Sequence, residues 1–394
     1  MIGVTQLLCG KLRPGDVLRY GRRTEGAPAA LLRYSADKRP VVVWNATRRC
    51  NLACVHCYAA ARSEPDPDEL STEQARAMID DLAQFGVPVL LFSGGEPLLR
   101  EDIFELGRYA AQRGIRAVIS TNGTLIDRRT AQRIREAGFS YVGVSLDGLR
   151  ETNDRFRGRA GAFDEALEGI RQCRAAGVRV GLRFTVNRRN FADLGGIFDL
   201  VAEERIERLC IYHLVYAGRG TRLLGEALSH EETRQAVDLI FRRAEEFCAR
   251  GLDCEVLTVD NHADGPYLYL KLAREQPERA ADALQLLRWN GGNSSGMGIG
   301  CVDWRGDVHP DQFWTHYSLG NVGERPFSEI WTDTSNPLLA GLKNRRALLK
   351  GRCAACRFID ICNGNFRVRA EAVFGDVWAH DPACYLTDEE IGVA

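Results

Sequence analysis

The chain is 394 residues long, 45% hydrophobic and 27% charged, with a formal net charge of −1. These are the proportions of a soluble globular protein of one large or two ordinary domains, and the near-zero charge excludes a global attraction to nucleic acid or anionic membrane. No apolar run reaches the roughly 18 residues of a membrane span, and the first residues lack a basic-then-apolar signal pattern, so the expected location is the cytoplasm.

In that reducing setting the 13 cysteines read as metal ligands or reactive thiols where they cluster. Where they are scattered, as Cys9, Cys173, Cys210, Cys248 and Cys254 are, they read as small buried apolar residues.

Residues 1–39, with "RYGRRTEGAPAA", read as an extended lead-in. From residue 40 to 258, short apolar runs alternate with amphipathic ones. The runs "PVVVWN", "VPVLLFSGG", "IRAVISTNG", "YVGVSLDG", "VRVGLRFTVN" and "RLCIYHLVY" predict strands. Between them "STEQARAMIDDLAQFG", "EDIFELGRYAAQRG", "DRRTAQRIREAG", "DEALEGIRQCRAAG" and "NFADLGGIFDLVAEE" predict helices. Ser71 and Gln74 fit a capping box, and Gly86, Gly114, Gly138 and Gly177 stand where helices stop.

Such strand–helix units imply a parallel sheet, curled into a partial or complete barrel or left open and doubly wound. In "YVGVSLDG" one face carries Tyr141, Gly143, Ser145 and Asp147, and the other Val142, Val144 and Leu146. In "GLRFTVN", Gly181, Arg183, Thr185 and Asn187 alternate with Leu182, Phe184 and Val186. A barrel lumen holding a ligand requires this alternation; a solvated sheet face gives it too. Residues 259–295 read as a connecting helical segment. Residues 296–394, rich in Gly, Asp, Asn and aromatics, read as a small domain stapled by metal rather than by a large core.

Two cysteine groups carry the chemistry. Cys50, Cys54 and Cys57 follow the first predicted strand in "WNATRRCNLACVHCYAAA", an odd number for disulfides and one ligand short of a closed tetrahedral site. The spacing suits a [4Fe–4S] cluster with one iron left open, and a zinc site completed by His56 is the alternative. "SGGEP" (Ser93–Pro97) ends the next strand; Gly94 and Gly95 permit close backbone approach, and Glu96 offers an acceptor for an ammonium group. Cys353, Cys356, Cys362 and Cys384 supply four ligands for a closed site, iron–sulfur or zinc. Most of the 52 basic residues are arginine, so only an arginine in an unusual place is informative. Arg183, in an apolar strand, is a candidate for holding a carboxylate.

The cysteine triad with "SGGEP" and "SLDG" resembles the radical S-adenosylmethionine (SAM) superfamily over nearly the whole chain, and the late cysteines resemble its SPASM extension. The resemblance implies an α/β fold: a partial (β/α)6 TIM-like radical SAM barrel with a small C-terminal SPASM/twitch-like iron–sulfur domain. It implies that Cys50, Cys54 and Cys57 hold a [4Fe–4S] cluster whose open iron binds the amino and carboxylate groups of SAM, which is cleaved to a 5′-deoxyadenosyl radical. Gly94, Gly95 and Glu96 would meet the methionine amino group, Ser145 and Asp147 the ribose, and Arg157 the carboxylate, with Tyr58, Ser120 and Asn122 as further cofactor contacts. The fuller SPASM pattern has a cysteine where this chain has Phe366, and of the upstream cysteines only Cys301 is present. One auxiliary [4Fe–4S] cluster is therefore implied, on Cys353, Cys356, Cys362 and Cys384.

"VVWNATRRCNL", "VLTVDNHADGPY", "DQFWTHYSLGNV" and "CNGNFRVRAEAVFGDVWAHDPACYL" further resemble the tetrapyrrole-modifying branch, in particular the 12,18-didecarboxysiroheme deacetylases of the alternative haem pathway. The implied reaction removes two acetate side chains to give iron-coproporphyrin III. Arg183, Arg367 and Arg369 are candidates for the substrate's carboxylates, and Trp304, Phe313, Trp314 and Tyr317 for its flat face. His213, His262, His309 and His316 are candidates for its iron or for proton donation. Each could instead be structural, as a packed aromatic or a satisfied buried polar residue. The implied partners are the tetrapyrrole and a reductant such as a flavodoxin or ferredoxin. The sister enzymes that remove propionates in nitrite-reductase haem synthesis share these motifs. The cysteine groups also suit a SPASM peptide maturase or a non-enzymatic iron–sulfur electron-transfer or carrier protein. The former usually carries the fuller cysteine set, and the latter needs no "SGGEP".

Overall fold

The apolar runs of the sequence, rich in β-branched and aromatic residues, pair into one sheet. This computed structural model describes residues 1–11, 16–20 and 39–393. The strands are β1 (Ile2–Gly3), β2 (Val41–Thr47), β3 (Val89–Gly94), β4 (Arg116–Thr121), β5 (Val142–Ser145), β6 (Val180–Val186), β7 (Arg208–His213), β8 (Glu255–Val259), β9 (Ile299–Val302) and β10 (Val308–His309). Their order is β1-β8-β7-β6-β5-β4-β3-β2-β9-β10. Strands β2 to β8 are all parallel. On the outer edges β2 pairs with β9 and β8 with β1, so the parallel run does not close on itself. Inner residues of every parallel strand, from Val43 on β2 to Val259 on β8, nevertheless line one shared cavity. The sheet is thus curled into a partial barrel rather than lying open and doubly wound.

The strand phases hold. Val142, Val144, Leu182 and Phe184 point outward into the main hydrophobic cluster, to which Met78, Ile79 and Leu82 of the helix Thr72–Phe85 also belong. Ser145, Arg183 and Thr185 point inward. Each large apolar side chain buried this way contributes about 1.5–3 kcal/mol. Ser71 and Gln74 form the expected capping box, and Gly86 closes the same helix with φ +84°.

Three features depart from the sequence reading. The sequence predicts six parallel strands, and β8, "EVLTV", is a seventh. Its first residue, Glu255, breaks the apolar pattern and is held by Arg19 and Arg208. The lead-in contains β1 and a helix, Val4–Cys9, packed against the helix His230–Ala249. Cys9 and Cys248, read as ordinary buried thiols, are joined there as a disulfide. Finally, the segment after residue 296 is not held by its cysteines alone. Phe327, Ile330, Trp331, Tyr385 and Leu386 belong to the same hydrophobic cluster as the barrel, and β9 extends its sheet. No helix among the described residues is long and apolar enough to cross a membrane.

Candidate active site

The cavity inside the curled sheet has a volume of about 470 Å³. Parallel strands deliver their last side chains and following loops to one end, and the motif residues converge there.

Cys50, Cys54 and Cys57 lie on the loop after β2 and line the cavity. The loop is pinned on three sides. Cys50 N–H donates to the Arg62 carbonyl at 2.6 Å, Ala53 N–H and Val55 N–H donate to the Arg157 and Phe156 carbonyls, and the Arg219 guanidinium donates to the Cys54 and Ala61 carbonyls at 2.8 Å each. Gly95 N–H and Glu96 N–H donate back to Thr47 and Arg49 at 2.8 and 2.7 Å. A Cβ on Gly95 would collide with the Arg49 carbonyl. The close approach permitted by this glycine is therefore to the cysteine loop itself.

Donors converge on the sulfurs. Leu52 N–H lies 3.4 Å from Cys50 Sγ, Asn122 Nδ2 lies 4.0 Å from the same atom, and Arg157 Nη1 lies 3.5 Å from Cys54 Sγ. Burial pushes the Cys50 thiol up to about 12 and raises Cys54, against the pull of Arg157. Thiols enclosed this way are neutral unless iron binds them, and then amide and guanidinium donors stabilise the anionic sulfur. The three cysteines and their donors fit a [4Fe–4S] cluster.

The remaining cofactor candidates divide. Tyr58, Gly94, Gly95, Ser120, Asn122, Ser145, Asp147 and Arg157 all face the cavity. The Glu96 side chain does not. Its carboxylate accepts from Thr121 Oγ1 and Asn122 N–H at 2.8 Å and from Leu98 N–H at 3.1 Å, wholly buried, and burial pushes it up to about 7. It ties β3 to β4 instead of offering an acceptor to an ammonium group. Asp147 accepts from Thr185 N–H at 2.9 Å and lies 2.5 Å from Arg157 Nη2 and 3.2 Å from His56 Nε2. Arg157 thus bridges a carboxylate and a cysteine sulfur. Tyr58 donates to Asn45 Oδ1 at 3.0 Å, and Asn45 reaches the leftover thiol of Cys301 at 3.6 Å.

Of the three arginines considered for the substrate's carboxylates, only Arg183 lines the cavity, where Nη1 donates to Ser120 Oγ at 2.5 Å and Nε has no hydrogen-bond partner among the described residues. Arg367 is spent on the carbonyls of Gly364, Val377 and Ala379. Arg369 forms a wholly buried pair with Asp381. Both are structural. Among the aromatics Phe313 lines the cavity, joined by Phe366; Trp314 and Tyr317 pack in the cluster behind these two, and Trp304 lies under Arg48. His309 is held by the Tyr317 carbonyl, and His316 lies on the surface beside Glu371. His213 and His262 remain, both buried and both on the cavity wall.

Cys353, Cys356, Cys362 and Cys384 form a second group. Burial raises the Cys362 thiol, and Cys384, Cys353 and Cys356 raise it further, as thiols gathered at one place do. The sequence reading missed Asp260, Asp264 and Tyr385 as individual residues. Asp260 lines the cavity in a left-handed backbone conformation, φ +67°, and burial pushes it up to about 7. The signal available for it was a polar run, "VDNHADG", directly after a strand-like one.

Residues 44–201 match the family described as the radical SAM superfamily, and residues 298–357 match SPASM, an iron–sulfur cluster-binding domain. The Fe-coproporphyrin III synthase of Methanosarcina barkeri is 64% identical over 395 residues, covering 100% of this chain and 99% of the relative. The pre-heme d1 synthase of Dinoroseobacter shibae is 46% identical, covering 90% of this chain and 88% of the relative. Among solved structures, Streptococcus suis SuiB bound to S-adenosylmethionine superposes with a TM-score of 0.70 at 18% identity, covering 91% of this chain and 80% of SuiB.

Proposed function

Because the chain belongs to the radical SAM superfamily and carries its SPASM iron–sulfur domain, we propose that it removes the two acetate side chains of 12,18-didecarboxysiroheme to give iron-coproporphyrin III. The observation that carries this reading is the 64% identity to an Fe-coproporphyrin III synthase along the full length of both chains. The lumen supports it chemically. One wall carries the cysteine loop, and the same cavity holds an inward arginine, Arg183, two buried histidines and the apolar faces of Phe313 and Phe366. A flat polycarboxylate with iron at its centre needs these types of contact.

When bound, the cluster and SAM would supply radical chemistry, a 5′-deoxyadenosyl radical able to abstract a hydrogen atom. The chain's own residues do the positioning. Cys50, Cys54 and Cys57 hold the cluster, and Arg157 and Asn122 stabilise its sulfurs. Gly94, Gly95, Ser145 and Asp147 bound the space for SAM, and Arg183 takes a substrate carboxylate. Cys353, Cys356, Cys362 and Cys384 hold an auxiliary [4Fe–4S] cluster, and a small acidic flavodoxin or ferredoxin delivers electrons.

The test is anaerobic incubation of the reconstituted protein with 12,18-didecarboxysiroheme, SAM and reductant, followed by mass measurement of the macrocycle. Loss of both acetates is the expected result. Loss of propionate, or an unchanged macrocycle, overturns the reading.

A further inference from the structure

His213 ends β7, and its ring lies on the cavity wall, where it is 6% exposed. Its Nε2 lies 2.9 Å from Asp264 Oδ2. The Asp264 side chain is wholly buried, and its other oxygen accepts the Tyr385 hydroxyl at 2.7 Å. Tyr385 is itself enclosed and directly follows Cys384. In the neutral imidazole, a buried carboxylate facing Nε2 favours the tautomer that carries N–H there and leaves the lone pair on Nδ1. Among the described residues the ring makes no other hydrogen bond, and His213 lines the cavity.

A histidine whose far nitrogen is tied to a carboxylate is the arrangement proteins use to orient a metal ligand and raise its basicity. Its neighbour His262 lacks it. There Nδ1 is enclosed without a hydrogen-bond partner among the described residues, Nε2 meets the amino terminus of Met1 at 3.3 Å, and the ring stacks on Phe366.

We propose that Nδ1 of His213 is the axial ligand of the substrate's iron, with Asp264 and Tyr385 as its positioning residues. The inference rests on the tetrapyrrole reading above and names a contact that reading leaves open. It fixes the macrocycle's centre against β7, and it runs a hydrogen-bonded chain from the iron's ligand to the residue after an auxiliary-cluster cysteine.

The test uses anaerobically reconstituted full-length protein with ferric iron-coproporphyrin III as the probe, and metal-free coproporphyrin III beside it. The wild type is expected to bind the iron form with the absorption and electron paramagnetic resonance signature of an imidazole-ligated iron. His213→Gly is expected to lose that signature and regain it with added free imidazole. His213→Gln keeps an amide to bond Asp264 and is expected to lose the signature without rescue. Asp264→Asn is expected to keep the signature but to bind the iron form about 10- to 100-fold more weakly, with binding of the metal-free form unchanged. An unchanged iron signature in both His213 variants overturns the ligand assignment while leaving the substrate reading intact. Failure of the wild type to bind either porphyrin overturns the substrate reading and this inference with it.

Discussion

Gly95 lies against the carbonyl oxygen of Arg49 with no room for a Cβ between them. The contact locks the end of β3 to the loop that carries Cys50, so the glycine-rich motif positions the iron ligands as well as bounding the space beside them. Gly95→Ala is expected to displace that loop while leaving the C-terminal cysteines in place. Iron content should fall from about eight to about four per chain, with the absorbance of the auxiliary cluster retained. Unchanged iron content would contradict this role.

Arg369 and Asp381 are both 0% exposed, 2.9 Å apart. Removing one member leaves a buried unpaired charge, which costs about 3–5 kcal/mol. Arg369→Ala should therefore lower the unfolding midpoint of the holo-protein under anaerobic conditions. A variant of normal stability that bound substrate poorly would make Arg369 a carboxylate clamp after all.

Arg183 lines the cavity, and its Nε–H has no hydrogen-bond partner among the described residues. Arg183→Met keeps the length of the side chain and removes its charge. The loss of one charge-assisted hydrogen bond, about 1.5–3 kcal/mol, should appear as weaker tetrapyrrole binding in an absorbance titration. Full iron content should show that the clusters are unaffected. Unaltered binding would exclude Arg183 from the substrate site.

Asp260 gives a pH dependence of defined sign. Burial raises its carboxyl from 3.8 to about 7, against the opposing pull of Arg369 and the amino terminus, while Asp311 adds to the rise. The folded protein keeps a proton that the unfolded chain releases, so this contribution is full below about pH 4 and is lost as pH rises through 7. Unfolding free energy should decline over that window by at most about 4 kcal/mol and level off above it. Asp260→Asn, a residue that also tolerates positive φ, should flatten the profile when melts are compared across the window. An equally steep profile in the variant would assign the titration to another group.

What the sequence made legible was periodicity and spacing. The alternation in "YVGVSLDG" placed Ser145 and Asp147 in the lumen, and both line it. Strand β8 was hidden because Glu255, a charged residue fixed by distant Arg19 and Arg208, interrupts the apolar run. Side-chain roles were less legible. Arg183, Arg367 and Arg369 look alike in sequence, and what separates them is the partner each finds: an open lumen, three carbonyls, or Asp381. The histidines divide for the same reason, and the Cys9–Cys248 disulfide joins residues 239 positions apart.

The central claim is that one lumen brings SAM and an iron tetrapyrrole together for radical chemistry. The most direct measurement is the release of 5′-deoxyadenosine by the reduced holo-protein in the presence of 12,18-didecarboxysiroheme, counted against acetates lost. One 5′-deoxyadenosine per acetate removed is predicted, with none from a Cys54→Ala variant. Acetate loss without 5′-deoxyadenosine, or no release under strong reductant, would contradict it.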